Sequence, residues 1–578
     1  MIREGGELAG WPWLTLVPIV VTAILAWSVF VPLPIADYWD VLVPGWAAAN
    51  EGPAALAAFL WQPFVDQTMV LPKASILALA KTSHGPHLGI ELALGFAAQL
   101  VVLACVRAMA TRSELAPRAQ QTLVVAAAFV LFWPLLLVRF QHHWYSTQYA
   151  WVTCTGLAGL LALHTRWGRW SGLLLGMLGG IATALSHGTG LFLMPAVAAL
   201  LLVVPGWSRP QRMVWWLVTI GLLGLLLAHM PTATDVGLPA ATERLASAAQ
   251  IPAFFLRCLG PPWQRLLCGT LLCLVGAVAI WRLWRCGRLS NRAVFPWVAL
   301  LGWGYLCAAA TTVARLGMDK PPRWYFAFFA LPAIATLAVA LHAFCTVGER
   351  AAWRTRWQHR RWLRPALLAA ALAIWMQGSW IGLREARATQ AAIIKAGELL
   401  RFAPVLVTED TKDIFPHHYF LTQLLPGAVA LGFHPGAVDL RPFDQQRALG
   451  VACTQCEGLT ASATPTVGGF EFTASANEAF VVVQFAAPVE PGDVVSCHLE
   501  LAAGVAASVE WHDGKHWSQP LALQGRARGD RTTMFFVDAN GKLPRAPVTQ
   551  ARLRFSAPPW QVGWTVRFDT WRRESRSH

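Results

Sequence analysis

The feature that most constrains this chain is a series of long apolar runs separated by short polar loops. A helix needs about 20 apolar residues to cross the hydrocarbon core of a bilayer. Eleven runs of roughly this kind occur, at 11–31, 88–107, 121–138, 148–165, 171–186, 190–206, 213–230, 265–283, 294–314, 325–347 and 365–382. We therefore predict a polytopic α-helical membrane protein with about 11 transmembrane helices, the first of them a retained signal anchor.

Arginines gather in alternate loops between these runs. The five Arg-bearing segments are 107–118, 166–169, 209–212, 282–292 and 350–364. Cytoplasmic loops carry an excess of Lys and Arg, so these loops and the N-terminus are predicted to be cytoplasmic. The expected location is a bacterial inner (cytoplasmic) membrane, with the C-terminal domain in the periplasm.

Composition excludes two classes of protein. The chain is 56% hydrophobic and 13% charged, which is too little charge for a soluble protein of 578 residues. Its net charge of +15 lies largely in the short loops and forms no separate basic tail. Nucleic acid is therefore rejected as a partner, and membrane lipid is expected instead.

The pattern changes after the last apolar run, which divides the chain into three predicted parts. Residues 1–384 form the transmembrane domain, and residues 385–464 a linking helix (385–402) with a small α/β segment: a strand at 405–408 and a helix at 413–424. Seven short β runs follow, at 468–474, 479–485, 493–501, 506–511, 532–537, 551–555 and 561–569. Short strands at this spacing predict a periplasmic, mostly-β sandwich over 465–578.

The first outer segment, from Pro32 to about residue 87, holds two carboxylates directly after a span. Asp37 and Asp40 lie beside the aromatic residues Tyr38 and Trp39, which favour the membrane interface. Acids placed there are candidates for catalysis; the alternative is that they only end the helix. Residues 54–80 are apolar but interrupted by prolines, which predicts two short helices along the interface.

Polar side chains from several outer segments suggest a site for a phosphate-bearing lipid. A carboxylate, Asp37 or Asp40, would take a proton from an attacking hydroxyl. Arg315, Lys320 and Arg323, with Tyr325, would hold the phosphate, since outer loops here are otherwise poor in cations. Residues proposed to position the acceptor or carrier are Asp66, Gln67, Lys73, His142, His143 and His187. The alternative is that these are ordinary loop residues.

The histidines have a simpler interpretation. His142 and His143 could ligate a metal, but adjacent histidines rarely bind one ion, so a capping or interface role is favoured. His187 lies between two Gly-flanked spans, where a hydrogen bond between helices is favoured over catalysis. A divalent metal is left open, and no other cofactor is expected.

Cysteines and tryptophans mark the C-terminal domain. Cys453 and Cys456 form a C-x-x-C pair without a thioredoxin-like βαβ pattern, so a structural disulfide is expected, between these two or from one of them to Cys497. Four tryptophans, Trp511, Trp517, Trp560 and Trp564, either pack in the sandwich core or stack on sugars.

Four stretches carry a resemblance to a known family. They are ADYWDV at 36–41, LPKASILAL at 71–79, ALSHGTGLFLMP at 184–195 and ARLGMDKPPRWYF at 314–326. In this order and topology, residues 11–445 resemble a bacterial branch of the GT-C class of membrane glycosyltransferases. The chain lacks the paired Asp-Glu of dolichol-mannose protein transferases and the WWD-type motif of oligosaccharyltransferases.

The resemblance implies an activity. Enzymes of this class transfer a sugar from a polyprenyl-phosphate or polyprenyl-diphosphate carrier on the outer membrane face, and their base is an acid in the first outer loop, here Asp37 or Asp40. The expected acceptor is a cell-envelope glycan or lipid, with inversion at the anomeric carbon. Two alternatives remain: a flippase or transporter of a lipid-linked glycan, and a non-catalytic subunit of envelope polysaccharide assembly.

Overall fold

A computed structural model gives the fold as two compact units. It describes residues 11–35, 37–64, 67–82, 87–229, 250–260, 266–315, 326–345, 363–400, 445–461, 469–490, 493–502, 505–518, 521–522, 532–535, 546–559, 561 and 563–575. The first unit comprises Met1–Pro34 and Pro44–Gln390. The second comprises Ile35–Val43 and Ala391–His578.

Helices make up the first unit. They are α1 (Trp11–Ser28), α2 (Tyr38–Glu51, whose first residues belong to the second unit), α3 (Pro53–Trp61), α4 (Val70–Thr82), α5 (Leu88–Thr111), α6 (Pro117–Leu131), α7 (Leu137–Gln141), α8 (His143–Thr165), α9 (Trp170–Ala184), α10 (Leu193–Val203), α11 (Arg209–Ala228), α12 (Ile251–Leu259), α13 (Leu266–Arg285), α14 (Phe295–Ala314), α15 (Phe326–Phe344) and α16 (Leu363–Leu400, whose residues from Ala391 onward belong to the second unit). Short 3-10 turns cover Pro134–Leu136 and Gly188–Phe192. Every predicted apolar run falls on a helix, so the predicted fold class is confirmed.

Several of the described helices are long and apolar enough to cross a membrane. By length and apolar composition, five described segments qualify: Leu88–Thr111, Pro117–Gln141, Arg209–Ala228, Leu266–Arg285 and Phe295–Ala314. Four shorter apolar helices accompany them, at Trp13–Ser28, Trp170–Ala184, Gly188–Val203 and Ala330–Phe344. Helix α8 falls outside both groups, and its first turns carry polar residues such as Ser146 and Gln148.

The predicted run 121–138 is interrupted in the structure. Helix α6 ends at Leu131, and the chain turns through a 3-10 segment at Pro134 before α7 begins. Proline has no N–H to continue the helical ladder. The carbonyl of Phe132 is thereby left for the hydroxyl of Thr22, which donates to it at 2.5 Å. Periodicity of apolar residues alone did not indicate this break.

Helices α8 and α9 approach each other through glycines. A Cβ added at Gly179 would lie 2.7 Å from the Cα of Gly159 and 2.8 Å from the carbonyl of Thr155. Small residues allow this close backbone contact, which provides packing energy between helices in lipid. The two helices therefore pack with almost no side-chain volume between them at this point.

Two short helices were predicted within residues 54–80, and α3 and α4 are found there. Their location along the membrane interface stays a prediction. Pro63 lies in the connection between them, and Pro72 lies in the first turn of α4, where proline is tolerated. The linking helix predicted at 385–402 is instead the continuation of α16, which runs without a break from Leu363 to Leu400. The strand at 405–408 and the helix at 413–424 lie outside the described residues.

Two antiparallel sheets form the sandwich of the second unit. The strands are β1 (Gln445–Ala448), β2 (Val451–Glu457), β3 (Leu459–Ala461), β4 (Gly469–Ala474), β5 (Glu478–Val489), β6 (Val494–Leu501), β7 (Ala506–His512), β8 (Leu521–Ala522), β9 (Thr532–Phe535), β10 (Val548–Ser556) and β11 (Thr565–Ser575). One sheet has the order β3-β4-β11-β6-β9 with β1 paired to β11, and the other has the order β2-β5-β10-β7-β8. All seven predicted β runs are strands, and β1 to β3 precede residue 465.

Alternation of side chains explains the sandwich. On β10, Leu553 and Phe555 are buried while Arg552 and Arg554 face outward. Their buried partners come from both sheets and form one core. On the outer face, Arg552 and Arg554 both pair with Glu510 on β7, at 2.9 and 2.7 Å.

The predicted tryptophans divide between core and surface. Trp511 and Trp564 are buried in the sandwich core, as packing requires. Trp517 is half-buried on the outer face, where the guanidinium of Arg552 lies 4.1 Å from its ring centroid. This cation occupies the ring face that a sugar would need for stacking. Trp560 lies outside the described residues.

No disulfide joins the three described cysteines of the sandwich. Cys453 and Cys456 both lie on β2. The strand is irregular there, because its pairing with β5 shifts register between Cys453 and Gln455. Cys497 is buried on β6 of the other sheet. The pairing of these cysteines therefore stays a prediction.

Candidate functional site

Asp37 and Asp40 lie together at the start of α2, in the segment that belongs to the second unit. Asp40 is in the first turn of the helix, and both side chains are half-buried. Burial, with a further contribution from the negative charge of Asp37, raises the pKa of Asp40 to about 6. A carboxylate with this pKa is still largely ionised at pH 7 and is a stronger base than an ordinary aspartate. The pair therefore has the properties of a general base.

Lys73 is buried on α4, where sequence predicted a role with acceptor or carrier. Its ammonium donates hydrogen bonds to the carbonyls of Phe59 at 3.1 Å and Gln62 at 2.6 Å, at the end of α3. The same nitrogen lies 4.6 Å from the centroid of the Phe59 ring. Burial lowers the pKa of Lys73 to about 8. The contacts make Lys73 a link between the two interface helices, at the position where a helix end exposes its carbonyls.

Gln67 joins the segment between these helices to the turn that follows α9. Its side-chain oxygen accepts a hydrogen bond from the backbone N–H of Gly188 at 2.7 Å. Nearby, the N–H of Leu71 donates to the carbonyl of Leu185 at 3.2 Å. A Cβ at Gly188 would lie 2.9 Å from the Gln67 side-chain oxygen. The absence of a side chain at Gly188 therefore allows Gln67 to approach its N–H.

Removing this acceptor is expected to destabilise the first unit. In Gln67→Leu the N–H of Gly188 loses its partner, which costs about 1 to 2 kcal/mol of unfolding free energy. Thermal and denaturant unfolding of the detergent-solubilised full chain measures the change. Gln67→Glu keeps an acceptor oxygen and is the matched control. Equal stability of the Leu and Glu variants would show that the hydrogen bond contributes nothing.

His187 makes its hydrogen bonds within its own turn. Its Nδ1 accepts from the N–H of Thr189 at 3.1 Å and lies 2.9 Å from the hydroxyl of that residue. These bonds cap the 3-10 turn, so the hydrogen bond between helices that the sequence favoured is not the one formed by Nδ1. Burial, with a smaller contribution from the positive charge of Arg315, lowers the pKa of His187 to about 3. The imidazole is therefore neutral at physiological pH.

His142 and His143 face different neighbours. His142 occupies the position before α8, and its ring centroid lies 5.6 Å from that of Tyr145. His143 packs edge-on against Phe30, with centroids 5.7 Å apart. Burial lowers the pKa of His142 to about 4. Within the described residues no group of three His, Cys, Asp or Glu could hold a metal.

Arg139, to which the sequence interpretation assigned no role, is the most unusual charge in the first unit. It lies on α7, directly after the break in the predicted run, and is 4% exposed. Its guanidinium carbon lies 5.5 Å from the ring centroid of Phe140 and 6.0 Å from that of Tyr149. Its Nε has no hydrogen-bond partner, and no carboxylate pairs with it, among the described residues. A buried charge without a partner is costly, so an anionic ligand would be strongly favoured here.

Tyr149 connects this arginine to the turn of His187. The rings of Tyr149 and His187 have centroids 5.2 Å apart, and Arg315 is near enough to His187 to affect its pKa. Arg139, Tyr149, His187 and Arg315 therefore form one polar group within the first unit, called here the Arg139 cluster. One signal was available: Arg139 falls in a loop assigned to the outside, where the positive-inside rule disfavours arginine.

The remaining predicted site residues are only partly described. Arg315 is half-buried directly after α14, and its N–H donates to the carbonyl of Thr311 at 3.0 Å. Asp66, Lys320, Arg323 and Tyr325 lie outside the described residues. Of the residues predicted to bind phosphate, Arg315 is therefore the one that the structure describes.

Two of the solved structures that this chain resembles are archaeal oligosaccharyltransferases. No family model matches the chain, and no curated protein matches it. An Archaeoglobus fulgidus oligosaccharyltransferase tethered to an acceptor peptide by a disulfide bond is similar at a TM-score of 0.38 and 13% identity, covering 69% of this chain. Oligosaccharyltransferase AglB of the same organism, in complex with an inhibitory peptide and a dolichol-phosphate, is similar at 0.39 and 13%, covering 71%.

This chain spans 58 and 59% of the length of the two neighbours.

Proposed function

We propose that this protein is a membrane glycosyltransferase that moves one sugar from a polyprenyl-phosphate donor to a hydroxyl group of a cell-envelope glycan or lipid, on the periplasmic face. The observation that carries the proposal is the half-buried pair Asp37 and Asp40, in which the pKa of Asp40 is about 6. Burial and a neighbouring carboxylate are the usual means of preparing an acid for proton transfer near neutral pH.

In the proposed reaction the acceptor hydroxyl oxygen attacks the anomeric carbon of the donor sugar. The bond between that carbon and the phosphate oxygen breaks, and the polyprenyl phosphate leaves with the electron pair. The hydroxyl proton passes to Asp40, and a single displacement inverts the anomeric centre. Burial, with a smaller contribution from the negative charge of Asp37, keeps the pKa of Asp40 high. The reaction balances without a metal ion.

A second role in the proposal belongs to the Arg139 cluster. A polyprenyl-phosphate donor brings a phosphate and a hydrocarbon chain to a membrane-embedded body. An arginine that is buried without a carboxylate partner binds phosphate well, because its planar fork can donate two parallel hydrogen bonds. We assign the donor phosphate to Arg139 and Arg315, with Lys320, Arg323 and Tyr325 as further candidates from the sequence. The two roles are tested separately.

The test compares cell-envelope glycans and lipid-linked sugars by mass spectrometry in three strains: a deletion, a wild-type rescue, and a rescue with Asp37→Asn/Asp40→Asn. We expect one sugar to vanish in the deletion, its carrier to accumulate, and the double variant to fail at normal expression. Glu457→Gln, an exposed carboxylate on β2, is the control and should rescue. Full rescue by the double variant would leave a transporter or a non-catalytic assembly subunit as the explanation.

A further inference from the structure

A polar cavity lies at the Arg-rich end of the first unit, the end assigned to the cytoplasm by loop charge. It has a volume of about 470 Å³. The loop between α13 and α14 forms one wall through Arg288, Ser290 and Arg292, and the opposite wall is Trp167 and Gly206. None of these residues belongs to the Arg139 cluster or to the Asp37–Asp40 pair.

The fold holds the tryptophan wall in place. Trp167 packs edge-on against Trp207 and Phe295, with ring centroids 5.4 and 5.1 Å away. Gly206 has φ +95, and a Cβ there would lie 2.5 Å from the Trp167 Nε1. Glycine is therefore needed for the indole to reach this position. Tryptophan beside the end of a membrane-spanning helix is typical of the level of the lipid headgroups.

The charge of the cavity is positive. Arg292 donates to the carbonyls of His164 at 3.0 Å and Thr165 at 3.2 Å, and no carboxylate pairs with it in the part of the chain that the structure describes. Because its guanidinium is anchored to the end of α8, this cation has little freedom to leave the cavity wall. No carboxylate is among the lining residues.

Arg288 is only partly neutralised. It pairs with Glu114 at 3.4 Å, and both side chains are substantially exposed. Glu114 has a second partner, since the side-chain amide of Asn291 donates to both of its oxygens at 3.0 Å. Glu114 thus stays hydrogen-bonded when Arg288 turns toward a ligand, and two arginines and the Ser290 hydroxyl can face one anion.

We propose that this cavity binds the phosphate of an anionic phospholipid headgroup. Arg292 and Arg288 would bind the phosphate oxygens, Ser290 would donate through its hydroxyl, and Trp167 would cover the glycerol part. A lipid is favoured over a soluble phosphate because α13 and α14, which frame the loop, are both long and apolar enough to cross a membrane. Basic pockets between such helices at the cytoplasmic level recognise anionic headgroups.

The experiment titrates the delipidated, detergent-solubilised full chain with phosphatidylglycerol and with phosphatidylcholine, and measures binding by native mass spectrometry and by thermal shift. Arg288→Gln removes a charge from the cavity wall. Arg285→Gln removes the same charge from the end of α13, outside the lining. We expect phosphatidylglycerol to bind about fivefold more weakly to Arg288→Gln, and with unchanged affinity to Arg285→Gln. Phosphatidylcholine should bind with the same affinity to Arg288→Gln and to Arg285→Gln.

A second variant covers the case in which Arg288→Gln fails to fold. Ser290→Glu places a carboxylate inside the cavity without removing an ion pair and should weaken phosphatidylglycerol binding at least as much. If Arg288→Gln and Arg285→Gln weakened phosphatidylglycerol binding equally, the proposal would be overturned. The lipid would then be attracted by the overall positive charge and not by the cavity. A thermal shift produced by inorganic phosphate alone, equal to that produced by phosphatidylglycerol, would overturn the assignment to a lipid.

Discussion

Asp40→Asn is expected to lower sugar transfer by about 10²- to 10⁴-fold without lowering the stability of the protein. The loss follows from the removal of a positioned general base. Stability should be retained because asparagine has nearly the same shape and removes a carboxylate that burial and Asp37 disfavour in its charged form. Transfer measured with the full chain and a synthetic polyprenyl-phosphate sugar, together with thermal unfolding, gives both quantities.

The pH dependence provides an independent check on this assignment. The base must be deprotonated, so kcat/KM should fall about tenfold for each pH unit below about 6 in the wild-type enzyme. Because folding raises the pKa of Asp40 from 3.8, the folded protein binds the proton more tightly between about pH 4 and 6. This group therefore adds stability as the pH falls through that range. If the residual activity of Asp40→Asn still fell below about pH 6, the loss of activity at low pH would have to come from another residue.

Arg139→Met is expected to reduce kcat/KM for the donor by about 10²- to 10⁴-fold. Two hydrogen bonds from a charged donor to phosphate are each worth about 1.5 to 3 kcal/mol, and methionine makes neither. The unliganded variant should unfold no earlier than the wild type, because the substitution removes a buried cation that lacks a carboxylate partner. The thermal shift caused by the donor should disappear.

Arg139→Lys separates charge from geometry. Lysine keeps the positive charge but lacks the planar fork, so it should recover only part of the donor affinity. A role for Arg139 in packing alone predicts the reverse pattern: Arg139→Met would lower stability, and the donor would still shift the unfolding temperature as it does in the wild type. The two measurements together therefore distinguish binding from packing.

Most helices could be predicted because the apolar residues that form each of them are close together in the sequence. Apolar length located the helices at all eleven predicted runs, and the short β runs located seven strands of the sandwich. Helices α2 and α12 were not predicted. The break near Pro134 could not be located, because residues on both sides of it are equally apolar and the turn is stabilised by Thr22, 110 residues away. Strands β1 to β3 also escaped, since their pairing with β5, β4 and β11 depends on residues distant in sequence.

The types of residue at the candidate site could be predicted from the sequence, but the atoms that each side chain contacts could not. Asp37 and Asp40 could be chosen from their position after a span, but the raised pKa of Asp40 depends on burial, which the sequence does not report. Lys73 has a charged side chain in an outer segment, yet its ammonium is occupied by the carbonyls at the end of α3. Arg139 could be noticed as an arginine in a loop assigned to the outside, but its burial beside Tyr149 depends on the fold.

The glycine contact between α8 and α9 bears on how the protein tolerates change during evolution. At Gly179 one added methyl group would meet the backbone of Gly159 at 2.7 Å, so the helices would have to separate. Such a change touches neither the carboxylate pair nor the Arg139 cluster. Its cost would therefore fall on assembly in the bilayer, and a cell would register it through proteolysis and low abundance instead of slow turnover. Inherited substitutions at Gly159 and Gly179 would therefore change how much of the protein is made correctly, and not how fast each molecule works.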